Sequence, residues 1–313
     1  MRALVTGGGG FIGHHLARRL LEDGYEVRVL DNFSSGRRER LHGLEVALVE
    51  GDLRSYERAH AAVRGVDLVF HLGALPSVPR SVQDPLTTGA VNVEGTLNVL
   101  LAARDEGVKR VVFASSSSVY GASEKLPKSE DDQPFPLSPY GVSKLAAEHY
   151  CHAFTQVYAL ETVSLRLFNV FGPGQDPLSQ YAAVVPRFIS ALAGGTRPVV
   201  YGDGLQTRDF TYVADVIEAF VRAGTSDVGG GDVFNVCAGT ETTLLDLIAI
   251  LNDFFGSAVE PRFEPARPGE VRRSCGDRRK AAGSLGWEPQ WALATALQEC
   301  ISKMPVGAAA VST

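Results

Sequence analysis

The sequence has little cysteine, little net charge and no long hydrophobic run, and each shortage argues against a class of protein. Its four cysteines show no C-x-x-C spacing, so we expect neither a disulfide framework nor a metal site. A net charge of −6 argues against nucleic acid or an acidic membrane as a partner. No stretch approaches the roughly 18 apolar residues of a membrane span, and no basic leader precedes a cleavable apolar segment. These features predict a cytoplasmic protein.

What the sequence does contain is a regular alternation of two patterns. Short apolar runs predict strands at 3–6, 26–30, 46–49, 68–72, 110–114 and 162–167. Apolar periodicity predicts helices near 11–21, 55–64, 88–106 and 139–158. Strands that alternate with helices indicate an α/β fold with a doubly wound parallel sheet, which binds its ligand beyond the carboxyl ends of the strands.

The alternation weakens from about residue 169, where proline and glycine become more frequent. Helical patterns remain near 181–194, 213–224 and 243–255. We therefore expect a main domain over 1–168 and a smaller interleaved lobe over 169–307 that returns segments to the main sheet. Residues 308–313 are predicted to form a frayed tail. A cleft between the domain and the lobe is a usual place for a small-molecule site.

Four consecutive glycines follow the first predicted strand and precede the first predicted helix. This context predicts a phosphate cradle at a helix N-terminus. Two spacings fit, because Gly8, Gly10 and Gly13 form G-x-G-x-x-G and Gly7, Gly10 and Gly13 form G-x-x-G-x-x-G. A flexible loop is the alternative. Asp31 weakens that alternative, since an acid at the end of the second strand suits a ribose diol and favours NAD over NADP.

A tyrosine and a lysine share one face of the helix predicted over 139–158. Ser138 is a good N-cap and Pro139 suits the first helical position, so Tyr140 falls in the first turn and Lys144 four residues later. A nearby ammonium and a helix N-terminus both favour a phenolate, which makes Tyr140 a candidate base near neutral pH. An ordinary amphipathic helix is the alternative, because the spacing is common.

A run of serines over 115–118 ends the fifth predicted strand, and it has two interpretations. It is either a plain polar loop or a set of hydroxyls that hold a reacting oxygen near Tyr140.

Together these motifs resemble the extended short-chain dehydrogenase/reductase superfamily, in its nucleotide-sugar epimerase/dehydratase branch and closest to UDP-N-acetylglucosamine and UDP-glucose 4-epimerases. The resemblance implies a Rossmann sheet with a smaller substrate lobe, bound NAD, and the spacing that starts at Gly7. Gly73 departs from the family, which commonly has alanine there. The cofactor contacts that the resemblance implies are Gly7, Gly10, Phe11, Ile12, Gly13, Asp31, Asn32, Ser35, Gly36, Asp52, Leu53, Leu72, Gly73, Ala74, Asn92, Tyr140, Lys144, Phe168 and Val170.

The resemblance also implies a catalytic set of Tyr140, Ser116 and Lys144. Tyr140 would take the proton of the sugar C4 hydroxyl while NAD accepts the hydride, Ser116 would hydrogen-bond the same oxygen, and Lys144 would bind the nicotinamide ribose. The transient 4-keto sugar would then turn and be reduced on its other face. Related dehydratases carry Asp-Glu where this chain has Ser117 and Ser118, so water elimination is disfavoured.

The substrate contacts implied by the resemblance are more scattered along the chain. They are Pro79, Ser116, Ser117, Tyr140, Asn169, Arg187, Tyr201, Arg208, Arg267, Glu270 and Ser274. Arg208 and Arg267 resemble a pair of diphosphate-binding arginines. Ser274 stands where galactose-type epimerases have a bulky residue, which leaves space for an N-acetyl group. We therefore expect a UDP-sugar 4-epimerase that interconverts gluco and galacto isomers of UDP-N-acetylglucosamine, UDP-glucose or both.

Two alternative functions stay open. Residues 77–81 also resemble uronate-acting relatives, in which case the protein is a UDP-glucuronate 4-epimerase or decarboxylase and Arg80 or Arg187 meets the carboxylate. A non-catalytic NAD-sensing regulator is the alternative from another class, although such relatives often lose the tyrosine and lysine that this chain keeps. The resemblance further implies a homodimer whose four-helix interface uses the helices near 88–106 and 139–158.

Overall fold

A computed structural model describes residues 1–177, 183–266 and 271–304 of the chain. Its strands are β1 (Arg2–Thr6), β2 (Glu26–Asp31), β3 (Val46–Glu50), β4 (Leu68–His71), β5 (Arg110–Ser116), β6 (Glu161–Leu167), β7 (Val170–Phe171), β8 (Val199–Tyr201), β9 (Thr207–Arg208), β10 (Thr211–Tyr212), β11 (Asp232–Val236), β12 (Thr242–Thr243) and β13 (Arg262–Glu264). Its α-helices are α1 (Phe11–Glu22), α2 (Tyr56–Val63), α3 (Val78–Gln83), α4 (Pro85–Gly89), α5 (Gly95–Asp105), α6 (Pro139–Tyr158), α7 (Val184–Ala193), α8 (Val213–Thr225), α9 (Leu244–Phe255), α10 (Arg279–Leu285) and α11 (Leu293–Ser302).

Seven of the strands form one sheet in the order β11-β6-β5-β4-β1-β2-β3. Every neighbouring pair in this sheet is parallel. After β1 the chain adds β2 and β3 on one side of the sheet, and after β4 it adds β5 and β6 on the other side. The strand order therefore reverses between β1 and β4, and a crevice forms beyond the carboxyl ends of these central strands. The predicted doubly wound Rossmann sheet is confirmed.

The seventh strand, β11, is a segment of the 169–307 region that lies in the main sheet, and its position was not predicted from the sequence. It pairs with β6 from Asp232 beside Val163 to Val236 beside Leu167. The chain beyond residue 169 thus contributes a strand to the edge of the main sheet as well as short two-stranded sheets of its own. The division into residues 1–168 and 169–307 stays a prediction.

Apolar side chains leave the central strands on alternate faces and enter two separate layers. On β1, Ala3 and Val5 join the layer that holds α1 and α8, whereas Leu4 joins the layer that holds α2 and α5. A parallel sheet covered by helices on both faces buries its central strands, which explains their continuous apolar runs. The helices cover the two faces of the sheet, so the polar carboxyl ends of these strands stay accessible.

Two predicted helices differ from the observed ones in detail. The helix expected over 88–106 is built from α4, a π-helical turn at Ala90–Glu94, and α5. The helix expected near 181–194 begins, within the described residues, at Val184. The predicted start of α6 is confirmed, because the Ser138 hydroxyl accepts a hydrogen bond from the Gly141 N–H at 3.1 Å and Pro139 is the first helical residue.

Within the ranges that the structure describes, no helix is long and apolar enough to cross a membrane.

Candidate active site

A cavity of about 540 Å³ opens at the carboxyl ends of the central strands. Most residues predicted to bind cofactor or substrate line it, although they come from distant parts of the sequence. The predicted residues in its wall are Gly7, Gly10, Phe11, Ile12, Gly13, Asp31, Asn32, Ser35, Gly36, Asp52, Leu53, Leu72, Gly73, Ala74, Ser116, Ser117, Tyr140, Lys144, Asn169 and Val170. The fold therefore brings the predicted glycine turn and the predicted reacting residues to one site.

The glycine turn between β1 and α1 is too crowded for side chains. Gly7 has a φ of +70°, and a Cβ on Gly13 would lie 2.1 Å from the Gly7 carbonyl oxygen. Gly10 is the N-cap of α1, and Gly7, Gly10 and Gly13 all line the cavity while Gly8 packs against Val29. The geometry favours the G-x-x-G-x-x-G spacing, which places a helix N-terminus against the cavity as a diphosphate requires.

Asp31 is fixed at the end of β2 by two backbone hydrogen bonds. Its Oδ2 accepts from the Gly9 N–H at 2.8 Å, and its Oδ1 accepts from the Phe33 N–H at 2.7 Å. Each carboxylate oxygen keeps further acceptor capacity, and the side chain lines the cavity. This arrangement fits the ribose diol of NAD, whereas a 2′-phosphate would face the carboxylate.

Asn32 and Asp52 line the neighbouring part of the wall. The Asn32 amide donates to Asp52 Oδ2 at 3.0 Å, and the Arg54 guanidinium donates to both Asp52 oxygens at 3.0 and 2.8 Å. The Arg54 hydrogen bonds hold the pKa of Asp52 at about 2, so this carboxylate is charged at neutral pH. The predicted adenine end of the site is therefore polar and held in place.

Tyr140 and Ser116 meet where α6 begins and β5 ends. The Tyr140 N–H donates to the Ser81 hydroxyl at 3.1 Å, and the Ser116 hydroxyl oxygen accepts from the Ser118 N–H at 3.1 Å. Burial raises the pKa of Tyr140 above its ordinary value of 10.0, and a hydrogen bond with the Ser116 side chain acts against that rise. The Ser116 hydroxyl also donates to the Ser118 hydroxyl at 3.1 Å. Tyr140 and Ser116 line the same cavity, which is what a shared hold on one substrate oxygen requires.

Lys144 lies one turn beyond Tyr140 on α6 and lines the same cavity. Its Nζ donates to the Ala114 carbonyl oxygen at 2.8 Å and lies 5.9 Å from the centre of the Tyr140 ring. Burial lowers the pKa of Lys144 to about 8. Burial of the phenol raises the Tyr140 pKa, and the expectation that Lys144 favours the phenolate stays a prediction.

Two residues that were predicted to contact the cofactor, Asn92 and Phe168, do not line the described cavity. They instead pack behind residues of its wall. Asn92 accepts from the Leu75 N–H at 2.8 Å and donates to the Ser143 hydroxyl at 3.0 Å, so it ties the segment after β4 to α6. Phe168 is fully buried and packs against Tyr120, with ring centres 6.1 Å apart. Both side chains position their neighbours in the wall.

The predicted substrate residues divide into two groups. Ser116, Ser117, Tyr140 and Asn169 line the described cavity, whereas the remaining described ones lie around its wall and not in it. The Arg187 guanidinium lies 5.7 Å from the centre of the Tyr201 ring. Arg208 donates to the Thr207 and Val271 carbonyl oxygens at 2.8 and 2.9 Å, and Ser274 is half-buried. Pro79 follows Val78, which does line the cavity. Arg267 and Glu270 lie outside the described residues.

The residues of the cavity wall that were missed from the sequence include the polar residues Arg40, Gln175 and Asp176. Arg40 donates to the Gly9 carbonyl oxygen at 3.2 Å and to the Gly174 carbonyl oxygen at 2.7 Å. It therefore joins the glycine turn to the segment after β7. The run of arginines over 37–40 was the available signal, but arginine runs are ordinarily surface charge.

A family model matches this site and the sheet that carries it. The model is that of the NAD dependent epimerase/dehydratase family, and it matches residues 3–237. The chain belongs to this family. Its cofactor is NAD, and the crowded glycine turn and the fixed Asp31 carboxylate fit that cofactor.

Similar proteins extend the match over nearly the whole chain. A UDP-glucose 4-epimerase of Mycolicibacterium smegmatis is 43% identical over 311 residues, which cover 96% of this chain and 97% of the relative. A solved structure of UDP-glucose 4-epimerase from Thermotoga maritima with UDP-glucose is 37% identical, has a TM-score of 0.93, and covers 97% and 98% of the two chains. A UDP-N-acetylglucosamine 4-epimerase from Methanobrevibacter ruminantium in complex with UDP-N-acetylmuramic acid is also 37% identical, with a TM-score of 0.92 and coverage of 96% and 97%.

Proposed function

We propose that this protein is an NAD-dependent UDP-sugar 4-epimerase that interconverts the gluco and galacto forms of UDP-N-acetylglucosamine, UDP-glucose or both. The observation that carries the proposal is that Tyr140, Ser116 and Lys144 all line the cofactor cavity, with Lys144 one turn beyond Tyr140 on α6. A tyrosine base and a hydroxyl on one oxygen, next to a hydride carrier, are what oxidation of a secondary alcohol requires.

In this proposal the protein's own residues move one proton and hold one oxygen. NAD, when bound, supplies the acceptor for the C4 hydrogen of the sugar and returns it. Tyr140 Oη accepts the proton of the C4 hydroxyl as the carbonyl forms, and Ser116 donates a hydrogen bond to that same oxygen. Lys144, held by the Ala114 carbonyl oxygen, lies on the cofactor side of Tyr140 and is proposed to bind the nicotinamide ribose.

Inversion at C4 requires that the sugar turns while the nucleotide stays bound. We assign the grip on the diphosphate to Arg208 and Arg267, because a guanidinium fork suits phosphate oxygens. Asn169 lines the cavity beyond β6, where it is proposed to contact the diphosphate or the sugar. Arg187, Tyr201, Glu270 and Ser274 complete the proposed substrate side, with the small Ser274 side chain leaving room at C2.

The same cavity disfavours water elimination. Ser117 and Ser118 both line the cavity. They stand at the positions where the related dehydratases carry an acid pair. A hydroxyl neither protonates a leaving hydroxide nor removes a carbon-bound proton at neutral pH.

We also propose that the protein is a homodimer that works in the cytoplasm. The α4 and α6 surfaces expose several apolar side chains, namely Leu86, Val142, Tyr150, Val157 and Tyr158. On α6 the spacing of Val142, Tyr150 and Val157 follows one helical stripe, which suits packing against the same helix of a second copy. The four cysteines are all buried free thiols, which suits a reducing compartment.

Sedimentation velocity tests the dimer. The wild-type chain is expected to sediment as a dimer and Val157→Asp as a monomer, because a charge in the stripe cannot be buried unpaired. Phe263→Asp is the matched control, since Phe263 is an exposed apolar residue on β13, far from the stripe in sequence. A monomeric wild-type chain contradicts the proposed interface.

Proton NMR of product stereochemistry tests the activity. The purified protein, without added NAD, is given UDP-N-acetylglucosamine, UDP-glucose and UDP-glucuronate in separate samples. Formation of a galacto isomer from either of the first two supports the proposal. Turnover of UDP-glucuronate alone identifies a uronate enzyme that keeps the Tyr140 chemistry. NAD binding without turnover of any sugar contradicts an enzymatic role.

A further inference from the structure

Behind the reacting residues lies a buried charged pair that does not touch the described cavity. Glu148 is on α6, one turn beyond Lys144, and Arg166 is on β6. The Arg166 Nε donates to Glu148 Oε1 at 3.0 Å and its Nη2 donates to Oε2 at 2.8 Å, which is a bidentate ion pair. The two side chains are only 5% and 4% exposed.

The pair also holds the strand that carries Ser116. Ser115 donates a hydrogen bond to Glu148 Oε1, and Ser115 stands directly beside Arg166 in the register of β5 and β6. Glu148 therefore accepts hydrogen bonds from two neighbouring strands at once. Its carboxylate joins α6 to the carboxyl ends of β5 and β6.

Lys144 makes a second link between the same two elements. Its Nζ donates to the Ala114 carbonyl oxygen, while the next residue of β5 is bonded to Glu148. Two successive residues of β5 are thus held by two residues of α6 that lie one turn apart. Tyr140 lies one turn further along the same helix face, opposite Ser116.

The turn that follows Ser116 is supported by the same arginine. The Arg166 guanidinium carbon lies 4.8 Å from the centre of the Tyr120 ring, and the Tyr120 hydroxyl donates to Asn235 Oδ1 at 2.7 Å. A 3₁₀ turn at Ser117–Val119 connects Ser116 to Tyr120. The chain is therefore anchored on this buried network on both sides of Ser116, at Ser115 before it and at Tyr120 after it.

Stability alone does not explain an ion pair in this position. Removing two charges from water is costly, and apolar residues of similar volume often stabilise a protein at least as well. We propose that Glu148, through Arg166 and Ser115, is a positioning residue that fixes α6 against the end of β5 and so sets the position of Tyr140 relative to Ser116. This inference rests on the proposed 4-epimerase function.

The test compares Glu148→Gln with the wild-type chain in steady-state epimerisation and in bound NAD. Gln keeps the size of Glu148 but cannot accept both Arg166 hydrogen bonds. The expected result is a fall in kcat of about tenfold or more, because small misplacements of reacting groups are costly. KM for the UDP-sugar and the NAD content per chain are expected to stay within about twofold, since Glu148 does not itself line the described cavity and contacts none of the predicted substrate residues.

Glu161→Gln is the matched control. Arg110 and Glu161 form an ion pair between the same two strands at their opposite ends, far from Ser116. The control is expected to leave kcat within about twofold of the wild-type value, because it removes one acid without loosening the active end of the strands.

A double variant, Glu148→Leu with Arg166→Met, separates positioning from stability. The apolar pair is expected to fold with a Tm close to wild type, yet to keep kcat low because Ser115 and β6 are no longer bonded to α6. A double variant with kcat within twofold of wild type, or an unimpaired Glu148→Gln, overturns the inference. If neither variant folds, the pair serves the whole fold and the inference is also overturned. An inactive wild-type chain instead contradicts the proposed function itself.

Discussion

The cofactor side and the substrate side of the cavity are built in different ways. The cofactor side consists of strand ends and the turns that follow them, with Gly7, Asp31 and Gly73 all in the wall. The substrate side draws on short, separate pieces of chain, and Arg187, Tyr201 and Arg208 lie outside the described wall. A site made by a sheet edge is fixed once the sheet forms, whereas a site made by separate loops depends on many weak contacts.

This difference predicts that changes on the two sides have different consequences. Changes on the cofactor side should affect NAD binding or the chemical step for every substrate alike. Changes on the substrate side should alter which sugar is accepted while NAD stays bound. The variants below separate the two sides.

The largest expected effect is that of Tyr140→Phe, at the point where the two sides meet. Removal of the hydroxyl takes away the proposed base, so kcat should fall by roughly 10²- to 10⁴-fold. The ring is kept, so the fold and the NAD content should not change. The checks are steady-state rates and the NAD released from denatured protein. A rate close to wild type removes Tyr140 from the mechanism.

Gly13→Ala should act next most strongly, and on the cofactor side alone. The added Cβ would lie 2.1 Å from the Gly7 carbonyl oxygen, so the glycine turn must shift. NAD binding should weaken by about tenfold or more, measured by titration of NAD-free protein. Gly283→Ala on α10 is the control, because a Cβ there meets open space and alanine favours a helix. Equal NAD affinity in both variants contradicts the proposed cradle.

Ser274→Tyr tests the substrate side with a smaller effect. A bulky side chain should exclude the N-acetyl group, so kcat/KM for UDP-N-acetylglucosamine should fall about tenfold relative to that for UDP-glucose. NAD content should not change. The measurement is kcat/KM for both sugars in the wild-type and variant proteins. An unchanged ratio shows that Ser274 does not select the sugar.

The smallest expected effect concerns a buried histidine on the cofactor side. His71 lies between the Thr6 and Thr96 hydroxyls at 2.7 and 2.9 Å, and burial lowers its pKa from 6.5 to about 3. Below pH 6.5 the His71 side chain takes up a proton in the unfolded chain but stays neutral in the folded chain until the pH nears 3. The contribution of His71 to the free energy of unfolding is therefore complete above pH 6.5 and decreases as the pH falls toward 3. The slope is up to about 1.4 kcal/mol per pH unit for this one group.

Urea unfolding at several pH values checks this slope. His71→Gln should remove the pH dependence that corresponds to uptake of about one proton between pH 6 and 4. His149→Gln, at an exposed position, is the control. A slope that is the same in wild type and His71→Gln shows that His71 is not the group responsible.

Local patterns in the sequence were sufficient to predict most of the sheet and the cofactor side. Each strand from β1 to β6 is a compact apolar run, and the helix signal at Ser138 and Pro139 is a short-range effect of capping. The glycine turn and Asp31 likewise follow directly from the strands before them. These features depend on neighbours in the sequence, which the sequence shows.

The remaining features depend on contacts between distant residues. β11 was missed because it is five residues long, contains Asp232 and Asn235, and is held by pairing with β6 some 70 residues earlier. The raised pKa of Tyr140 was missed because the spacing of Tyr140 and Lys144 says nothing about burial. Arg40 entered the cavity wall through bonds to Gly9 and Gly174, which no local pattern indicates.

The central claim is that the C4 hydrogen of the sugar leaves and returns without exchange, while Tyr140 handles only the hydroxyl proton. Epimerisation of the sugar that the protein accepts, run in D₂O and followed by proton NMR, tests this claim most directly. The account predicts that the product keeps protium at both C4 and C5, because the hydrogen is carried by the cofactor and not by solvent. Deuterium at C4 or C5 of the product would contradict it.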